Sequence, residues 1–123
     1  MTDLASVRYA ARMCRALRVL CAAADAGRLA QLKRAAVSTN WELVGGASSL
    51  DELGGQVGEW QPDVVVIDAG LGPDAASRAR EARSTVRIVS LGPLSGADEE
   101  AASLEELKPA ILGLPRPGGP VRT

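Results

Sequence analysis

The chain has 123 residues, with 14 Lys+Arg against 15 Asp+Glu and a formal net charge of −1. That balance supplies no clustered cationic surplus for nucleic acid and none for an anionic membrane surface, and the length fits one domain. Hydrophobic residues make up 46 % but aromatics only 2 %, with no Phe, so the core is aliphatic. The absence of His removes the commonest acid/base group and the commonest transition-metal ligand.

Two cysteines, Cys14 and Cys21, cannot build a disulfide framework, and without His they cannot close a zinc site. They read as reduced apolar residues of a cytosolic protein. No apolar run reaches the roughly 18–20 residues that span a bilayer. Met1-Thr2-Asp3-Leu4 lacks the basic start of a signal peptide, so the expected compartment is the cytoplasm.

In chain order, Leu4, Val7, Ala11 and Cys14 recur at helical spacing and predict a helix over 3–16. The apolar run 18–24 suits a buried strand, with helix as an alternative because of its Ala content. Asp25 can cap the next helix, whose Leu29, Leu32, Ala36 and Val37 form one face through about Ser38. Residues 41–47 read as a second strand. Ser49-Leu50-Asp51-Glu52 is a capping-box pattern that opens a helix through about Trp60, weakened by Gly54, Gly55 and Gly58.

Pro62 precedes the clearest strand, 63–68, whose unbroken Val64-Val65-Val66-Ile67 run predicts cover on both faces, as parallel sheets require. A Gly/Pro loop over 70–73 leads to a helix at about 74–83, and 85–91 reads as a fourth strand. Ser95-Gly96-Ala97-Asp98 can cap an acid-rich helix that Pro109 stops, and 110–114 reads as a short fifth strand. The tail is rich in Pro and Gly. Strands alternating with helices predict a doubly wound α/β parallel sheet with right-handed crossovers.

In such a sheet, sites form beyond the carboxyl ends of the strands. The candidates there are Ala23, Ala24 and Asp25 after strand one, Asp68 after strand three, Ser90 after strand four and Arg116 after strand five. Asp63, at the amino end of strand three, reads as a turn residue. No phosphate-binding glycine loop and no nucleophile elbow occurs. The acids of 98–106 read as a solvated helix face.

Asp68 closing Pro62–Asp68, with Ala69-Gly70-Leu71-Gly72 after it, resembles the phosphoacceptor strand and loop of two-component receiver domains. Residues 41–53 resemble the second strand and helix of the receivers on bacterial response regulators. Ser90 falls where that family keeps a switch Ser or Thr, and Arg116-Pro117 matches its Lys-Pro pair. The resemblance runs from about Leu17 to Pro117. It implies a flavodoxin-like, five-stranded sheet in the order 2-1-3-4-5, an extra helix at 1–16, a receiver-like domain at 17–117, a tail at 118–123, and no final family helix.

The resemblance also implies a Mg²⁺ site made by two acids directly after strand one together with the phosphoacceptor. Ala23 and Ala24 stand at those positions, and Asp25 one residue further on is already explained as a helix cap. Mg²⁺ demands hard oxygen ligands, which methyl groups cannot supply. Arg116 keeps the charge of the family's Lys and would pair with Asp68 as a structural lock. The reading that follows is a non-enzymatic pseudo-receiver without cofactor, acting on protein partners such as a sensor kinase, with a homodimer formed through the N-terminal helix. The alternative is a single-domain response regulator phosphorylated on Asp68 by a histidine kinase. In that case Asp25 would be the remaining Mg²⁺ ligand, and Ser90 and Arg116 would contact the phosphoryl group. A flavodoxin-like small-ligand domain is the third, disfavoured by the missing phosphate loop.

Overall fold

A run of β-branched residues gains most when both of its faces are covered, and strand β3 (Val64–Asp68) sits where that happens. A computed structural model describes residues 17–113 and places Val64, Val65, Val66 and Ile67 at 0–1 % exposure. Burying each contributes about 1.5–3 kcal/mol relative to leaving it in water. Strand β1 (Leu17–Ala22) flanks β3 on one side and β4 (Arg87–Leu91) on the other, all parallel. β2 (Trp41–Ala47) and β5 (Glu99–Ala101) form the edges, giving five strands in the order 2-1-3-4-5. The flavodoxin-like topology expected from the sequence is therefore the one observed. The helix read over 3–16, the Arg116-Pro117 pair and the tail lie outside the described residues.

Alternation along each strand divides the core into two layers. Val19, Cys21, Val64, Val66, Val89 and Leu91 face one side, where they meet Leu32 and Ala36 of α1 (Ala26–Ala36) and Leu107 and Ile111 of α4 (Leu107–Leu112). Leu20, Ala22, Val65, Ile67 and Ile88 face the other, against Leu53 and Val57 of α2 (Leu50–Trp60) and Ala75, Ala76 and Ala79 of α3 (Ala75–Ala82). Small alanines let α3 approach closely. Trp41, 5 % exposed, closes the amino end of the first layer and donates its indole N–H to Ala36 O at 2.5 Å.

The local start signals act as expected. Asp25 Oδ2 accepts the Arg28 N–H at 2.9 Å and opens α1. Ser49 Oγ accepts the Glu52 N–H at 3.1 Å and opens α2, whose three glycines are outweighed by burial of Leu53 and Val57. The Glu52 carboxylate reaches back to Ser48, bonding its N–H at 2.8 Å and its hydroxyl at 3.1 Å, and these bonds lower its pKa. At the amino edge Asp63 accepts the Arg18 N–H at 2.9 Å, tying the starts of β1 and β3. On the edge strand, pairing passes from Val19–Leu43 to Leu20–Gly45 and skips Val44, a bulge that blunts the exposed edge.

The last third of the chain corrects the sequence reading. The acidic segment expected as a helix contains the fifth strand: Glu99, Glu100 and Ala101 pair with Val89, Ser90 and Leu91. Asp98 begins the pairing, taking the Ile88 N–H on its carboxylate and donating its own N–H to Ile88 O, both at 2.8 Å. The crossover from β4 to β5 carries no helix; Arg80 pins it by bonding Gly96 O at 2.6 Å and Asp98 Oδ2 at 2.7 Å. Residues 110–112, expected as a strand, belong to α4, which follows a 3₁₀ turn over Leu104–Glu106. Pro109 stops nothing, because in a first helical turn its missing N–H would have had no partner. Gly113, at φ +75°, ends α4 in the left-handed conformation. The expectation of a sheet without a final helix thus gives way to a short helix packed after β5.

Candidate functional site at the carboxyl edge of the sheet

Strand β1 delivers its last residues to the carboxyl edge with no charge on them. Ala23 is fully buried in the layer under α1 and donates its N–H to Ala47 O at 3.0 Å. Ala24 is exposed, and Asp25 next to it is engaged as the cap of α1. Burial at 23 is a packing role, so the methyl there is part of the core rather than the wall of an ion site.

Asp68 arrives at the same edge on β3 and is held on both oxygens. Oδ2 accepts the Gly70 N–H at 3.1 Å, which starts the 3₁₀ turn over Ala69–Leu71. Oδ1 accepts the Arg28 Nε–H at 3.2 Å. The Asp68 side chain is 16 % exposed and that of Arg28 41 %. Arg28 is in turn steadied by its backbone N–H on Asp25 and its Nη1 on Gln31 Oε1 at 3.0 Å. An ion pair with one partner this exposed contributes about 0.2–1 kcal/mol, so its consequence is positional: it joins the first turn of α1 to the end of β3.

Arg28 was not among the residues singled out from the sequence. Among the described residues, the cation bonded to Asp68 is Arg28. Arg116 lies outside the described residues, and its selection rested on a fifth strand at 110–114; β5 ends at Ala101, where Ala102 donates its N–H to Glu106 Oε1 at 3.0 Å.

Ser90 is fully buried, and its hydroxyl donates to Gly92 O at 2.7 Å, inside its own connection. In the β3–β4 ladder it pairs with Ile67, one residue before Asp68; the residue lying against the loop after Asp68 is Gly92, whose Cβ, if present, would stand 3.4 Å from the Ala69 methyl. With φ +89°, Gly92 makes a turn that other residues strain to adopt.

The donor set does not fit a divalent cation. Ala23 and Ala24 offer no oxygen on their side chains, Asp25 spends its carboxylate on a backbone amide, and a guanidinium already bonds Asp68 Oδ1. Among the described residues no cluster of three or more His, Cys, Asp or Glu could hold a metal ion. Nor, among them, is any helix long and apolar enough to cross a membrane.

No protein-family model and no curated protein matches the sequence. Solved structures do. The signal receiver domain of the response regulator NarL from Mycobacterium tuberculosis superposes with TM-score 0.66 at 20 % identity, covering 80 % of this chain and 94 % of that one. A CheY-like receiver domain protein from Methanospirillum hungatei gives 0.66 at 16 %, over 80 % and 92 %. The CheX–CheY–BeF3–Mg complex from Borrelia burgdorferi gives 0.63 at 14 %, over 79 % and 87 %. With the parallel strand order and an aspartate at the end of β3 in common with the expectation, the fold of this chain is that of the response regulator receiver domain.

Proposed function

We propose that this chain is a pseudo-receiver: a non-enzymatic, cytoplasmic signalling module that works through protein contacts without Mg²⁺-dependent phosphorylation. One observation carries the reading. Strand β1 ends in a buried methyl and an exposed methyl where a phosphorylatable receiver would need carboxylates. Phosphoryl transfer to a carboxylate brings negative charge onto negative charge, and a divalent cation is what offsets it. The Borrelia burgdorferi CheY was solved with beryllofluoride and magnesium and with a protein partner, CheX. Of those, the reading keeps the protein partner, a sensor kinase or another regulatory protein, and drops the metal.

The second reading, phosphorylation of Asp68 by a histidine kinase, is favoured by its place at the end of β3 and its residual exposure. Intact-mass measurement after incubation with acetyl phosphate and magnesium chloride separates the two. No added phosphoryl mass is expected, and an adduct present in the wild type and lost in Asp68→Asn would establish the second reading instead. Self-association through residues 1–16 belongs to the proposal as well; a solution mass equal to one chain, before and after their removal, rejects it.

A further inference from the structure

We propose that Arg28 is the resident counter-ion of Asp68, taking the place of a divalent cation and tying the first turn of α1 to the β3 carboxyl end. The inference rests on the pseudo-receiver reading and names how that site is regulated: by a side chain of its own rather than by an ion from solution. Three observations carry it. The guanidinium comes from the connection after β1, the same connection from which metal-binding acids would come, and reaches Asp68 Oδ1 at 3.2 Å across 40 residues of sequence. Its geometry is set in advance, because its own N–H is bonded to Asp25 and its Nη1 to Gln31. The other Asp68 oxygen is bonded to Gly70, so both acceptors of the carboxylate are engaged from within the chain.

The physical consequence differs from that of a bound ion. A divalent cation comes and goes with its concentration and brings open coordination positions for a phosphoryl oxygen. A guanidinium is always charged, cannot be titrated away and offers hydrogen-bond donors in one plane. Asp68 therefore faces a positive charge from within the chain, while its other oxygen nucleates the turn over Ala69–Leu71. Arg28 acts here as a positioning residue through Asp68.

Amide and arginine Nε–H NMR spectra of the full chain test this, with magnesium chloride as the probe. In the wild type the Arg28 Nε–H resonance is expected to be resolved and to move in Asp68→Asn, and millimolar magnesium is expected to leave the amides of 68–71 in place. Arg28→Ala should shift the amides of Ala69 and Gly70 on the far side of the contact, Arg28→Lys should shift them less, and the Arg28→Ala/Asp68→Asn double variant should show at Gly70 the shift of Asp68→Asn alone. Shifts confined to 25–32 in Arg28→Ala, or a saturable magnesium shift at 68–71 in the wild type, would overturn the counter-ion role. Its failure is separable from failure of the pseudo-receiver reading, which falls only on a phosphoryl adduct at Asp68.

Discussion

Truncating two adjacent aliphatic residues, Ile111 and Leu112, tests which face of the last described helix is buried. In α4, Ile111 is fully buried against the α1 layer and Leu112 is 44 % exposed. Ile111→Ala removes three carbons worth about 0.8 kcal/mol each, roughly 2.4 kcal/mol of transfer energy, and leaves a cavity that raises the cost to about 3–4 kcal/mol. Leu112→Ala removes the same atoms from a half-wet position, leaves no cavity, and costs about 1 kcal/mol or less. At about 4 °C per kcal/mol for a domain of this size, the first variant melts about 12–16 °C lower and the second within about 4 °C of the wild type. Thermal unfolding followed by far-ultraviolet circular dichroism reads both. Equal losses, or a larger loss at 112, would show that the buried face assigned to α4 is wrong.

Two further outcomes follow from buried polar groups. Burial pushes the Cys21 thiol up to about 12, against an ordinary value of 9.0, with Lys33 partly opposing the shift. The unfolded chain therefore loses this proton first: the stability contribution is whole below pH 9.0 and falls as pH rises toward about 12, by at most about 1.4 kcal/mol per unit. Urea titrations at a series of alkaline pH values should show a steeper decline for the wild type than for Cys21→Ala, and parallel declines would contradict it. Trp41→Phe leaves the Ala36 carbonyl without its indole donor in a site 5 % exposed; a loss of about 1–3 kcal/mol is expected from denaturant unfolding, and a neutral result would mean that the bond contributes nothing.

Much of the fold is legible because its energies are local. The Val64–Ile67 run, the caps at Asp25 and Ser49 and the boundaries of β2 and α2 each depend on residues within one turn or one strand, and each lies where its pattern indicates. Glu99–Ala101 could not be recognised in that way. Two glutamates favour neither a strand nor a core, and they are extended because β4 offers an unpaired edge and Asp98 engages Ile88 to set the register. Pro109 misled for the complementary reason: whether a proline breaks a helix depends on its distance from the helix start, and that start was displaced by the strand before it.

At the candidate site the division is the same. Composition and position alone identify Asp68 as the acid that closes the central strand and show that β1 ends without carboxylates. Which cation meets Asp68 was decided by the parallel order of β1 and β3, which sets the first turn of α1 beside the end of β3 and brings together residues 40 positions apart. A salt bridge of that span leaves no periodicity in the chain, because its partners are chosen by where two strands finish and not by their spacing.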